Sequence, residues 1–219
     1  MGTMSLPIYN PWRREMGHLY DWASREKQAK DLSWHPTREQ IDEGLNDPDV
    51  DVRLAWIGRM DFTPSPTHIV EGLNNRNIDI RIAWIERMDW TPTPEQVERG
   101  LIDPHWRVRE KWYSRMDYVM TPKQVERGLT DSDSSGRHAM ALRMDFTPTS
   151  VQADRGLSDD YHHVKMMWVK RMDWTPTPEQ VENGLGSEDL LLREAWLRRM
   201  AEGHAAVLGS DDMDAHISI

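Results

Sequence analysis

The side chains best suited to metal binding or proton transfer are histidines in the middle of the chain. They are His105, His138, His162 and His163, and the sequence places Tyr113 and Tyr161 near them. Imidazole is a common zinc ligand, so His138 and His163 could share an ion if they lay on adjacent helices. The spacing His-x3-His, which puts two ligands on one helix face, does not occur. We therefore interpret these residues as surface histidines and expect neither a metal nor another cofactor.

Other common kinds of catalytic machinery are missing from the sequence as well. The chain has no cysteine, which excludes thiol catalysis, thiolate metal sites and disulfides. It also has no glycine-rich phosphate loop and no arrangement that pairs a nucleophile with a base. We therefore predict that the protein is not an enzyme.

The elements that must position these side chains are set by a repeat of 28 residues. Gly-Leu recurs six times at this spacing, from Gly44-Leu45 to Gly184-Leu185, and Arg-Met recurs six times from Arg59-Met60 to Arg199-Met200. The spacing contains no insertion or deletion. Such a fixed period is typical of stacked repeat proteins, and we predict an all-α solenoid of six two-helix repeats.

Each repeat contains start signals for two helices. The first helix opens on a capping box, as in Thr93-Pro94-Glu95-Gln96, and ends near Gly100, which either turns the chain or allows a close helix approach. For the second helix we predict N-caps at the residues that follow the Gly-Leu pair, which are Asp47, Asn75, Asp103, Asp131, Asp159 and Ser187.

The second helix is predicted to run to the Arg-Met pair and to bury one stripe of large side chains. In the first repeat this stripe is Val52, Trp56 and Met60, spaced i, i+4, i+8. Two aromatic columns hold eight of the 11 tryptophans, Trp56, Trp84, Trp112, Trp168 and Trp196 in one and Trp34, Trp90 and Trp174 in the other. We expect both columns to belong to the core.

The pattern Asp-Pro-x-x-x-Val-Arg-x-x-Trp, at residues 47–56 and 103–112, resembles the second helix of HEAT-type repeats and their bacterial leucine-rich-variant relatives. The resemblance covers residues 34–204, with repeats shorter than those of typical HEAT proteins. It implies that the second helices line a concave groove. It also implies that the recurring Arg and Asp columns form a structural ladder between repeats.

The repeats divide the chain into three predicted segments. Residues 1–36 form an N-terminal helical cap, residues 37–204 form the six-repeat solenoid, and residues 205–219 form an acidic tail without ordered structure. No apolar run reaches the length of a membrane span, and no signal region opens the chain. We predict a cytoplasmic protein that is a monomer or a simple dimer.

Charge limits the class of partner. The net charge of -10 argues against direct binding to duplex nucleic acid, which needs a basic face. The repeats are acidic at both ends of the array and neutral in the middle, a distribution that suits a protein partner with basic regions.

Comparison of the repeats with one another indicates where such a partner would bind. Columns that stay fixed serve packing and capping, whereas residues 51, 54 and 58 and their equivalents vary and should face solvent. Trp106 lies outside both aromatic columns and is either a filler between repeats or a binding anchor. We predict a central binding site formed by Trp106, Arg107, Tyr113, His138, His163 and Met166. A rival site is the acidic first repeat with Asp49 and Asp51.

The sequence therefore favours a non-enzymatic scaffold that binds a protein along the groove of the second helices. One alternative is an acidic inhibitor that competes with nucleic acid for a basic protein. A less favoured one is a HEAT-fold enzyme that modifies nucleic acid, which would need a basic groove with an acidic catalytic residue.

Overall fold

The structure, a computed structural model, describes the backbone of residues 22–214 and the side chains of residues 22–202. This part of the chain contains 13 helices and no strand. The helices are α1 (Trp22–Lys30), α2 (Arg38–Leu45), α3 (Val50–Ile57), α4 (Pro66–Leu73), α5 (Ile78–Glu86), α6 (Pro94–Gly100), α7 (Trp106–Ser114), α8 (Pro122–Leu129), α9 (Ser134–Leu142), α10 (Ser150–Leu157), α11 (His162–Lys170), α12 (Pro178–Leu185) and α13 (Leu190–Asp214). The all-α fold of six two-helix repeats is confirmed.

The chain divides into two compact units, one ending at Asp61 and the other beginning at Phe62. In the first unit α1 and α2 both pack on α3. The helix predicted as an N-terminal cap therefore forms one compact unit with the first repeat, and residue 36 does not separate them. The second unit holds the other five repeats, and α13 continues to Asp214, into the predicted tail. Residues 1–21 and 215–219 lie outside the described residues.

The first helix of every repeat begins with the predicted capping box. The Thr93 hydroxyl accepts a hydrogen bond from the Gln96 backbone N–H, and the Gln96 side chain accepts one from the Thr93 N–H. These bonds satisfy two donors that a helix start leaves free. In α4 the box uses His68, whose Nδ1 accepts from the Ser65 N–H at 3.3 Å.

The second helices begin two residues later than predicted. Their N-caps are Asp49, Asn77, His105, Asp133, Tyr161 and, by its bonds to the N–H groups of Leu191 and Leu192, Asp189. The predicted caps are wrong because those side chains instead accept from the N–H of the residue two positions on, as Asp103 does from His105 at 2.8 Å. They form the turn that precedes the helix.

The glycine of each first helix lies against the large residue of the second helix. A Cβ on Gly100 would lie less than 3.0 Å from three ring atoms of Trp112, whose side chain is 1% exposed. The same holds at Gly72 with Trp84 and at Gly156 with Trp168. Of the two roles predicted for Gly100, the structure therefore shows the close helix approach.

The methionine of each Arg-Met pair is not part of the buried stripe. Val52 and Trp56 are fully buried, but α3 ends at Ile57 and Met60 is 62% exposed. The equivalent Met88, Met116, Met144 and Met172 are exposed as well. The predicted extension of these second helices to the Arg-Met pair is wrong, because the chain leaves the helix before the methionine.

The arginine of the same pair is buried and joins consecutive repeats. Arg115 donates to the carbonyl oxygens of Ile85, Arg87 and Trp90 at 2.7, 3.0 and 2.6 Å, and its guanidinium lies 4.2 Å from the Trp90 ring centroid. Asp117 holds the other edge of the guanidinium through two bonds of 2.7 Å. We call this arrangement the arginine clamp, and it recurs at Arg143 and Arg171.

The second arginine column forms the ladder implied by the family resemblance. Arg109 binds Asp131 of the next repeat at 2.8 and 2.7 Å, and Arg137 binds Asp159 at 2.6 and 2.9 Å. Arg81 binds Asp103 in the same way, so the three arginines of this column in repeats two to four are each neutralised by an aspartate of the next repeat.

Candidate functional site

In the second compact unit the second helices form one layer. Helix α5 packs on α7, α7 on α9, α9 on α11 and α11 on α13. The outward residues of this layer are the equivalents of residues 51, 54 and 58, which a helical wheel places opposite the buried stripe, and all but one are exposed or half-exposed. The exception is Ile82, which is 6% exposed. We call this surface, together with the neighbouring α7 residues Trp106 and Lys111, the second-helix face.

Ion pairs neutralise the part of the face that is formed by α5 and α7. Arg107 Nη1 lies 3.2 Å from an Asp79 carboxylate oxygen, and Lys111 Nζ lies 2.9 Å from a Glu86 carboxylate oxygen. Arg107, a predicted site residue, is thus exposed but already paired. Surface pairs of this kind exchange partners at low energetic cost because water screens them.

Two predicted site residues, His138 and His163, lie side by side on α9 and α11. Their ring centroids are 5.3 Å apart, and Tyr161 approaches His163 edge-on at 5.8 Å. Burial and the neighbouring His163 lower the pKa of His138 below its usual value of 6.5, while the Glu110 carboxylate opposes this shift. Within the described residues no group of three His, Asp or Glu side chains could hold a metal ion.

The lowered pKa of His138 should make the stability of the fold depend on pH. Because the pKa of His138 is lower in the folded chain, the unfolded chain binds more protons below about pH 6.5. Stability should therefore be complete above that pH and fall as the pH drops toward the folded pKa. We expect the melting temperature of the wild type to drop more between pH 7.5 and pH 5.5 than that of His138→Asn, by about 1 °C or more. Equal drops would contradict this assignment.

Trp106 is an exposed aromatic residue at the start of α7. It is 42% exposed and stacks on His105 with a centroid distance of 6.0 Å. His105 is itself held in place, because its Nδ1 accepts from the Arg107 N–H as the cap of α7. This exposure favours the hypothesis of a binding anchor over that of a filler between repeats.

Tyr113 does not belong to the surface site predicted from the sequence. Its side chain is fully buried, and its hydroxyl donates to Asp131 at 3.0 Å beside the Arg109 ion pair. Burial, followed by the Asp131 charge, raises the pKa of Tyr113. Comparison of the repeats carried the signal that was missed, because the same column holds the buried residues Ile57, Ile85, Ala141 and Val169.

Met166 lines a groove between α11 and α13 that the sequence did not predict. The groove has a volume of about 330 Å³. Its apolar lining includes Met166, Val169, Met172, Leu191 and Ala195, and its polar lining includes Lys170, Glu194, Arg198 and Glu202. The structure thus places the predicted site residues His138 and His163 side by side and puts Met166 in this groove. Two further predicted residues, Trp106 and Arg107, lie next to each other at the start of α7.

Comparison with solved structures shows what the fold resembles. The chain is similar to a leucine-rich repeat variant with a novel repetitive protein structural motif, with a TM-score of 0.58 and 20% sequence identity. The alignment covers 82% of this chain and 66% of that one, so the chain spans just under two thirds of that protein's length. At this identity the likeness shows the helical-repeat fold alone.

Sequence comparisons add no relative. No protein-family model and no curated protein matches the chain. Among the described residues no helix is long and apolar enough to span a membrane.

Proposed function

We propose, on the premise of the helical-repeat fold, that this chain is a non-enzymatic scaffold that binds a protein partner along the second-helix face. One observation carries the proposal: the exposed columns of this face change in charge and polarity from repeat to repeat. One column reads Asp79, Arg107, Ser135, His163 and Leu191 in successive repeats. Packing and capping do not require this variation, whereas recognition of a particular partner does.

The chemistry of the face favours aromatic and apolar contacts as the source of affinity. Trp106 and Met166 present apolar surface, and His163 adds a ring that can stack or donate a hydrogen bond. The charges of Arg107 and Lys111 are taken up by acidic neighbours on α5. We therefore place the energetic centre on these uncharged groups, since aromatic side chains dominate interface hot spots.

Acidic groups elsewhere would act on the rate of association with a partner that has basic regions. Asp49 and Asp51 lie at the start of α3 in the first compact unit, and Asp49 caps that helix by accepting from the Asp51 N–H at 2.9 Å. Exposed acidic residues attract basic partners at long range, and the effect weakens with salt.

The cytoplasmic location stays a prediction.

The test begins with capture of partners by the full chain and their identification by mass spectrometry. For a captured protein, we expect Trp106→Ala with His163→Ala to weaken binding by about thirtyfold, because loss of hot-spot anchors costs about 2 kcal/mol or more. Titration calorimetry measures this change. The matched control is Trp22→Ala, which removes another half-exposed tryptophan, at 47%, from α1.

Two results would contradict the placement of the site. One is a loss of affinity in Trp22→Ala as large as that in the Trp106 and His163 variant. This result would show that affinity does not depend specifically on the second-helix face. The other is loss of equilibrium affinity in Asp49→Asn with Asp51→Asn, together with full binding by the Trp106 and His163 variant. That pattern would move the site to the acidic first repeat.

A further inference from the structure

The arginine clamp of the last repeat lacks the carboxylate that completes it in every earlier repeat. Arg59, Arg87, Arg115, Arg143 and Arg171 each bind an aspartate two residues further along the chain through Nε and Nη2. The residue at that position after Arg199 is Ala201, and α13 continues through it as a helix.

The rest of the clamp is intact at Arg199. Its Nη1 donates to the carbonyl oxygens of Val169, at 2.8 Å, and of Arg171, and its Nη2 donates to that of Trp174 at 2.6 Å. The guanidinium lies 4.5 Å from the Trp174 ring centroid. The edge formed by Nε and the second Nη2 hydrogen therefore faces no carboxylate among the side chains that the structure describes.

This cation is buried without a full counter-charge. Arg199 is 5% exposed, and burial lowers its pKa, with only the Asp173 charge acting in the opposite direction. Both Asp173 carboxylate oxygens are already bound to Arg171, at 2.7 and 2.6 Å. A buried guanidinium gains most from a bidentate carboxylate, because the two planar groups match in geometry and little water competes.

An apolar cavity of about 850 Å³ opens beside Arg199. Among the side chains that the structure describes, its lining includes Met172, Trp174, Thr175, Pro176, Pro178, Val181, Glu182, Leu185, Arg199 and Met200. In each earlier repeat the loop after the clamp supplies an aspartate followed directly by an aromatic residue, as Asp117 and Tyr118 do. Tyr118 then packs edge-on against Trp112, with centroids 6.2 Å apart. No such pair follows Arg199.

We propose that this cavity binds a segment of a protein partner in which an aspartate is followed by an aromatic residue. The aspartate occupies the free Nε–Nη2 edge of Arg199, and the aromatic ring enters the apolar part of the cavity. The partner thereby supplies an aspartate and an aromatic residue, which repeats one to five supply from their own loops. The cavity contains no residue of the second-helix face, although Met172 and Arg199 also line the groove that holds Met166. We therefore treat it as a second binding site.

The test uses a fluorescein-labelled peptide with the sequence of residues 172–178, Met-Asp-Trp-Thr-Pro-Thr-Pro, titrated with the full chain and followed by fluorescence anisotropy. We expect saturable binding. Replacing the peptide's aspartate by asparagine should weaken it about tenfold or more, since a charged bidentate bond is lost. Replacing its tryptophan by alanine should weaken it by a similar factor.

Variants of the protein locate the site. We expect Leu185→Gln, in the cavity wall, to weaken peptide binding about tenfold. Leu157→Gln makes the same change one repeat earlier, where Asp173 completes the clamp, and should leave binding unchanged. Circular dichroism melts check that both variants are folded. Trp106→Ala should also leave peptide binding unchanged, which separates this site from the second-helix face.

Three outcomes would overturn the proposal. The first is no rise in anisotropy at any attainable protein concentration. The second is equal binding of the asparagine peptide, because the Arg199 edge would then not be engaged. The third is equal weakening by Leu157→Gln and Leu185→Gln in folded protein, because the peptide would then not lie in this cavity.

Discussion

Replacing Trp84 by alanine is expected to lower the free energy of unfolding by about 3–5 kcal/mol, as emptying a buried aromatic site does. Trp84 is 2% exposed and lies directly on Gly72 of the preceding helix. Removal of the indole eliminates the buried apolar surface of the ring and the contact that it makes between α4 and α5. Urea unfolding followed by circular dichroism measures the change, and a midpoint equal to that of the wild type would show that this column is not core.

The contact with Gly72 supplies a sharper test of the same packing. Gly72→Ala alone should destabilise the chain by about 1–3 kcal/mol, because its Cβ would lie less than 3.0 Å from the Trp84 ring. In the Trp84→Ala background the same change should be neutral or stabilising, since the space is free and alanine favours helix by about 1 kcal/mol. Additive effects would mean that the two residues do not share this space.

Removing an arginine clamp should destabilise the chain as much as replacing Trp84 by alanine. Arg115→Met is expected to lower the free energy of unfolding by about 3–5 kcal/mol, because it leaves the Asp117 carboxylate and the carbonyls of Ile85 and Trp90 without their donor. Methionine keeps much of the side-chain volume, so the loss reports mainly on the polar bonds.

The matched control for the clamp is an exposed arginine of α7, the helix that directly precedes Arg115. Arg107 is paired with Asp79 across the surface, with side-chain exposures of 45% and 49%. Arg107→Met should change the free energy of unfolding by less than about 1 kcal/mol. A similar loss in both variants would show that the buried bonds of Arg115 do not hold consecutive repeats together.

Much of the fold could be predicted from the sequence because its signals are local and repeated. A capping box links residues three apart, so Thr93 and Gln96 indicate a helix start without knowledge of the remaining chain. The 28-residue recurrence of Gly100 and Trp112 likewise reveals paired helices in register. Five or six copies of each signal remove the ambiguity that one copy would leave.

The candidate site was predictable only in part, because exposure depends on packing. The helical wheel placed His138 and His163 on the outer face, and the structure brings their rings together. The predicted site also included Tyr113, whereas the structure buries its side chain against Asp131. Tyrosine suits a core as well as an interface, so residue type could not separate the two.

What the sequence by itself determined is the repeat, its two helices and the columns that recur. The tertiary structure decided which recurring residues are buried, because buried and exposed residues recur with the same spacing of 28 residues. Arg115 and Met116 recur with the same regularity, yet the arginine is 4% exposed and the methionine 54%. The helix ends between Ser114 and Arg115, and that endpoint turns one side chain toward the preceding repeat and the other toward solvent. The open clamp at Arg199 has a different origin, because the sequence itself places Ala201 where each earlier repeat has an aspartate, and α13 continues through that position as a helix.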